Sequence, residues 1–374
     1  MDKKILTVLT VLFFFAWGTL SWVTADLLLS DQLSLLANLR TVTYIVAAVA
    51  VFLRYYIRRI PDERILLYGA MICVVALLVM MNRRLLPAGY LLVGITRIFL
   101  IPANLGFVDR VLGARNATIV TGGGFYLANA ALSPVAEFLV EANRWRFAFG
   151  AAIVLLILSA YVTFRLEKVL EAEEEVEETP PSASHPPSAF GKGVIVFVAI
   201  QTCYGLVEIV LFPLSALLLG ERTDAGRVKG LRQFAALVGV VVTCFYRKPL
   251  SLRALLTIQF AGLALILVGA QYGIGGLCFF GIFVEGVMFA LLERESEIIY
   301  LEGLRGLPSA AVARQFIDGA YRLATVPGEL VAANTPLFLS LGVAPILPLL
   351  ILVSFKTPLR HGVARALRRL GNKA

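Results

Sequence analysis

The chain has 374 residues, of which 59% are hydrophobic and 16% charged, and its mean hydropathy is +0.83. A soluble domain carries about 25% charged residues, so the composition excludes an ordinary soluble protein and points to an integral membrane protein. The formal net charge of +9 does not call for nucleic acid, because in a membrane chain basic residues set orientation.

Apolar runs of about 20 residues, the length that crosses a hydrocarbon core, recur along the chain. They predict spans at 5–25, 36–56, 65–81, 88–107, 118–140 and 147–164, then at 193–219, 228–246, 253–271, 273–292, 310–334 and 336–355. With no water in the bilayer core to satisfy the backbone, such spans must be helices. Between the sixth and seventh lies "EKVLEAEEEVEETPPSASHPPSAFGK", whose glutamate run and Pro/Ser cluster neither cross lipid nor pack a core; it reads as a solvated linker. The expected organisation is therefore an N-terminal six-helix bundle over 1–167, an acidic linker over 168–191, a C-terminal six-helix bundle over 192–356 and a basic tail over 357–374. The tail spaces Leu359, Val363, Leu367 and Leu370 three or four apart with arginines between, which suits a surface helix on anionic lipid. The basic excess falls on one side, placing both termini and the linker in the cytoplasm of a multi-pass protein of the inner membrane. The run after Met1 lacks the small-residue cleavage site of a signal peptide and reads as the first span.

Cys73, Cys203, Cys244 and Cys278 stand in apolar runs without pair spacing, and the histidines, His185 and His361, lie in polar segments. Neither set frames a metal site or a disulfide, and no metal or cofactor is expected.

The two halves echo one another. "GFYLANAALSPVAEFLVEAN" in the fifth span and "GAYRLATVPGELVAAN" in the eleventh each run from Gly-x-Tyr to a proline (Pro134, Pro327), a nearby glutamate (Glu137, Glu329) and Ala-Asn. Parallel repeats of this kind place a binding site at their interface near the midplane.

Trp145-Arg146-Phe147-Ala148-Phe149, following Ser133-Pro134 in "SPVAEFLVEANRWRFAFG", resembles the fifth-to-sixth-helix join of the major facilitator superfamily. That resemblance implies a fold of twelve transmembrane helices in two pseudo-symmetric bundles. It also implies a secondary transporter that alternates between inward- and outward-open states and works as a single chain. The motif between helices 2 and 3 departs from the family pattern: in "FLRYYIRRIPDERILLYG", Arg59 and Arg64 match, but Arg58 replaces the aspartate and Pro61 the glycine.

Charges inside spans are expensive and mark cavities or bundle interiors. Asp318 and Arg322, spaced i, i+4, can pair along one face, and Glu329 lies seven residues on, which places a charged stripe across the eleventh span. Asp318–Arg322 stands as either a structural lock or a substrate contact. Arg97 in "GITRIFLIPANLG" requires an acid from another helix or an anionic ligand. Glu285 in "GIFVEGVMFA" has no basic residue one turn away and is the candidate for proton coupling. Glu208 lies near Pro213 in the seventh span, and Asp26 closes the first. Asn129 and Tyr321 belong to the echoed segments. Trp17, Trp22, Tyr126 and Tyr204 either line an aromatic cavity or pack as anchors.

No phosphate loop, nucleophile elbow or soluble catalytic domain appears, so no enzyme is expected. The expected function is proton-gradient-driven transport of a small polar organic solute, with export favoured. Uptake of an anionic metabolite steered by Arg97 and Arg322 is one alternative; a non-transporting scaffold or sensor acting through the linker or tail is another. Membrane lipids and the solute are the expected partners.

Overall fold

The computed structural model describes residues 3–56, 62–171, 190–245, 251–303 and 310–354, and at some helix ends, 297–303 and 310–319 among them, only the backbone course. Most of the acidic linker and the whole basic tail lie outside these residues, as do Arg58, Arg59 and Pro61.

The regular elements among the described residues are all helices. In the first half they are α1 (Lys3–Leu28), α2 (Leu33–Tyr56), α3 (Asp62–Met80), α4 (Leu86–Glu141) and α5 (Trp145–Glu171). The second half comprises α6 (Phe190–Leu219), α7 (Ala225–Phe245), α8 (Leu252–Gln271), α9 (Gly275–Gly303), α10 (Ala310–Asn334) and α11 (Leu337–Ser354). Several bounds fall within three residues of the expected spans, and α10 coincides with 310–334. Among the described residues, seven stretches are long and apolar enough to cross a membrane, and three shorter apolar helices accompany them.

Element α4 differs from expectation. At about 1.5 Å per residue its 56 residues would extend roughly 84 Å, against about 30 Å for a hydrocarbon core. Gly113 breaks it, with φ 71° and ψ 155°, a conformation that excludes side chains with a Cβ. The expected spans 88–107 and 118–140 lie on either side of this break. The connection is a single bend in otherwise helical backbone, which is why no loop separates them.

The surface carries apolar faces, and charge lies inside an otherwise apolar core. Along α3, Leu67, Tyr68, Met71, Ile72, Val75 and Leu78 are exposed, while charged side chains such as Arg40, Arg232 and Glu285 are buried. Contiguous exposed apolar faces are rare on soluble monomers but match hydrocarbon as solvent.

One end of the bundle is built from tight turns. Arg146 Nε donates to the Met81 carbonyl at 3.2 Å and Arg222 Nη1 to the Ser30 carbonyl at 3.3 Å, so turns from both halves share that end. Arg146 also stacks on Trp145, 5.2 Å from its ring. The Trp-Arg-aromatic stretch thus pins the start of α5 to the α3–α4 turn.

Helices of different elements approach closely where glycines permit it. A Cβ on Gly205 of α6 would lie 2.2 Å from the Thr325 carbonyl oxygen, and one on Gly328 of α10 would lie 2.0 Å from the Thr202 carbonyl oxygen. Thr202 also donates its hydroxyl to the Ala324 carbonyl at 2.7 Å. Small residues and interhelical hydroxyl bonds are the means by which helices associate in lipid, where the hydrophobic effect gives no drive. Pro327, placed in the echoed segment, sits inside α10 beside this crossing. Pro134 plays a related part in α4: its Cγ lies 3.0 Å from where a Cβ on Gly230 of α7 would be.

Candidate functional site

The two halves enclose a cavity of about 200 Å³. Its walls come from α1, α2 and α4 of the first half and α6, α7, α9 and α10 of the second. Of the residues expected at a site, Arg97, Asn129, Glu208, Tyr321, Arg322 and Glu329 line it. So do Arg40, Tyr44, Lys229, Glu293 and Arg294, which sequence reasoning did not select.

The charges form a continuous buried chain. Arg40 of α2 donates from Nη2 to Asp26 Oδ2 at 2.5 Å and from Nη1 to Glu329 Oε1 at 2.7 Å. Tyr90 gives its hydroxyl proton to Asp26 Oδ1 at 2.9 Å. Lys229 Nζ stands 2.7 Å from Glu208 and 3.8 Å from Asp26. Arg232 binds Glu285 through both oxygens, at 2.6 and 2.8 Å, and Glu208 at 3.2 Å. Gln259 completes the chain by donating to Glu285 at 3.2 Å.

This chain supplies a partner for Glu285. Its base comes not from its own helix but from α7, and a bidentate guanidinium is the strongest partner a carboxylate finds in a protein. Glu285 lies behind Arg232, outside the cavity lining. Asp26 is likewise more than a span boundary: it is 1% exposed and joins the halves through Arg40 and Lys229.

The layout has a pseudo-twofold logic. Arg40 stands in the second helix of the first half and Arg232 in the second helix of the second half. Each takes an acid from the first helix of its own half, Asp26 and Glu208 respectively. The echoed glutamates correspond too, because both make ion pairs into the opposite half: Glu329 with Arg40, and Glu137 with Arg227 Nε at 2.6 Å. The repeat read in sequence is thus repeated in charge placement.

A second polar knot joins the halves at the cavity wall. Glu293 accepts from the Tyr126 hydroxyl, from Gln201 at 3.1 Å and from Arg294 at 2.6 Å, while Arg294 Nη1 donates to the Thr118 carbonyl at 2.8 Å. Glu293 and Arg294 follow directly on the expected span 273–292, since α9 continues to Gly303.

Aromatic rings complete the lining. The Arg97 guanidinium lies 5.3 Å from the Trp22 ring and 5.8 Å from Trp17, and that of Arg322 lies 5.8 Å from Tyr44. Tyr204 stacks on Phe289 at 4.9 Å and stands 6.1 Å from Tyr321. Asn129 donates to the Phe125 carbonyl of its own helix at 2.9 Å. The Asp318 side chain lies outside the described residues, so its expected pairing with Arg322 does too.

At the tight-turn end, Glu137, Glu141 and Asp224 bring carboxylate oxygens within 4.8 Å of one another. Arg227 occupies their centre, at 2.6, 3.5 and 3.6 Å from the three. A guanidinium already supplies the cation there. Because Arg227 is 60% exposed, Arg227→Ala is expected to cost only about 1 kcal/mol after solvent screening. Its effect on the melting temperature should shrink at high salt.

No protein-family model matches the chain, and no curated protein matches it. Solved structures do. A bacterial homologue of the iron transporter ferroportin, in an outward-facing state with soaked iron, superposes with a TM-score of 0.62 at 14% identity, over 95% of this chain and 98% of that one. The nucleoside transporter NupG superposes with a TM-score of 0.64 at 13% identity, over 96% and 100%. At such identities the likeness establishes a shared fold: a many-helix membrane protein with the architecture of these two transporters.

Proposed function

We propose that this chain is a secondary transporter of the major facilitator type, with twelve transmembrane helices in two bundles, that moves a small polar organic solute by alternating access. The observation that carries the proposal is the cavity between the halves, lined by charge and closed by ion pairs that cross from one half to the other. Buried ion pairs gain little over apolar packing. Retaining several of them at a seam suits contacts that must break and re-form. The cavity volume of about 200 Å³ is smaller than the roughly 300–1,000 Å³ of pockets for drug-sized ligands, which favours a compact solute.

The coupling ion in this proposal is the proton, in the direction of export. Glu329 suits the coupling role better than Glu285. It lines the cavity, bonds Arg40 through Oε1 and leaves Oε2 without a hydrogen-bond partner. A proton taken up there would neutralise the carboxylate that ties α10 to α2, so protonation and parting of the halves would be one event. Reconstituted protein should show saturable counterflow of a solute from a metabolite panel. In Glu329→Gln, flux should no longer respond to an imposed proton gradient. Unchanged pH dependence in a folded Glu329→Gln protein would remove the residue from coupling. Counterflow of no solute, with cysteines at 121 and 129 equally accessible from both sides at all times, would remove transport altogether. Deleting most of 171–188 should leave flux intact; loss of function confined to partner binding would favour a scaffold acting through the linker.

A further inference from the structure

We infer that two tight turns of the first half form a docking surface for an anionic phospholipid, its headgroup phosphate held by Arg83, Arg84, Arg144 and Arg146 and its acyl chains lying along α3 and α5. Such a surface is independent of transport and needs only that the chain lie in a bilayer.

The α3–α4 turn lies in "MNRRLLP" and the α4–α5 turn in "EANRWRF", and the four arginines in them are exposed. The two turns touch: Arg146 Nε donates to the Met81 carbonyl at 3.2 Å, and a Cβ on Gly150 would lie 3.9 Å from Met81 Cε. Asn82 Oδ1 accepts from the Arg84 backbone N–H at 3.1 Å, which fixes the first turn. Residues 81–85 and 142–146 hold these four bases and no acid. The acids at this end belong elsewhere. Glu137, Glu141 and Asp224 surround Arg227 at the seam between the halves, Glu221 shares the α6–α7 turn with Arg222, and Asp31 stands on the α1–α2 turn. The corresponding turns of the second half, α8–α9 in "QYGIGG" and α10–α11 in "NTPLF", carry no charge. The architecture therefore closes these turns without arginine, and the four in the first half answer some other need.

Beside the arginines the surface turns apolar. Phe147, 71% exposed, and Leu85 stand at the turns, and exposed Leu78 and Val75 of α3 and Val154 and Leu158 of α5 continue away from them. A phospholipid presents the complementary order, a phosphate where the hydrocarbon ends and chains beyond it. Arginine stems lie along apolar surface while their guanidiniums reach phosphate oxygens. Arg146 is the anchored member: its partners, the Met81 carbonyl and the Trp145 ring at 5.2 Å, are neutral and leave its charge in place. A soluble anion would use the arginines but not the apolar strip. A second copy of this chain, meeting the same patch across a twofold axis, would set arginines against arginines.

The test places a reporter at the surface: Phe147→Trp in the full-length protein, reconstituted into vesicles of phosphatidylcholine and phosphatidylglycerol with one or the other brominated. Bromine quenches tryptophan only at short range, so the quenching ratio reads the lipid preference at that spot. The protein without the substitution supplies the background of Trp17, Trp22 and Trp145. A preference for phosphatidylglycerol of about fivefold for each arginine engaged, and so roughly tenfold or more in all, is expected, and raised salt should reduce it. It should fall towards parity in Arg83→Gln/Arg84→Gln/Arg144→Gln, which leaves the Arg146 contact with Met81 in place. If that variant fails to fold, Arg144→Gln alone should lose about fivefold. Equal quenching by the two lipids, or a preference that survives in the folded variants, would overturn the inference. So would loss of the preference on adding inorganic phosphate at constant ionic strength, which would mark a site for the free anion. A triple variant whose oligomeric state changes while its lipid preference does not would mark an interface between copies and overturn it equally.

Discussion

Arg232→Met is expected to destabilise the folded protein by about 3–5 kcal/mol, the cost of removing one partner from a buried ion pair. Arg232 is 1% exposed, and its partners Glu208 and Glu285 are 3% and 0% exposed. With the guanidinium gone, Glu208 keeps Lys229 at 2.7 Å, but Glu285 is left with only the Gln259 amide. The penalty is mostly that of stranding Glu285. Adding Glu285→Gln to Arg232→Met should therefore recover most of the loss, because two neutral groups of similar shape replace the pair. Arg232→Lys should fall between, since an ammonium cannot match both carboxylate oxygens in the plane that Arg232 occupies. Thermal unfolding of the four proteins in one detergent checks the order. A double variant no more stable than Arg232→Met would show that Arg232 acts by packing, through its contacts with Tyr204 at 4.6 Å and Phe289 at 5.1 Å.

Gly328→Val is the second substitution expected to have a large effect. Its Cβ would meet the Thr202 carbonyl oxygen at 2.0 Å and the Leu206 nitrogen at 2.6 Å. Both are backbone atoms, so no rotamer change relieves the clash; α10 must move away from α6. Overpacking that side chains can absorb costs about 1–3 kcal/mol, and this displacement should reach or exceed the upper end. It should also break the Thr202 hydroxyl bond to Ala324, compounding the loss. Gly205→Ala, meeting the Thr325 oxygen at 2.2 Å from the other side of the crossing, should resemble it. Gly342→Ala in α11, where nothing lies within 4 Å, serves as the control. It should be neutral or slightly stabilising, as alanine is the better helix former. Yield of monodisperse protein and melting temperature separate these outcomes; a Gly328→Val protein as stable as the control would mean that the crossing is looser than described.

The charged cavity was only half legible in the sequence. Arg97, Arg322, Glu208 and Glu329 stood out because each interrupts an apolar run, and such interruptions are costly in lipid. Arg40, Lys229 and Arg232 interrupt the expected spans 36–56 and 228–246 in the same way, but they lie in the first turns of those spans, where interface and interior are indistinguishable by depth. Glu293 and Arg294 escaped because hydropathy fell before the helix ended. Asp26, by contrast, was visible as a residue but not as a participant, since its partners Arg40 and Lys229 arrive from α2 and α7.

Hydropathy and its periodic interruption by itself determined that the chain is a helical membrane protein, because burying a backbone in hydrocarbon leaves no alternative to the helix. The same local signals located several of the side chains at the seam. Which charge neutralises which was decided by tertiary structure alone: Glu285 by Arg232, Glu329 by Arg40, Glu137 by Arg227. Ion pairing falls off with distance in space, and the partners in these pairs stand 53, 289 and 90 residues apart along the chain. Only the packing of whole helices brings them within 3 Å, and that packing depends on glycine contacts whose register no single segment reveals.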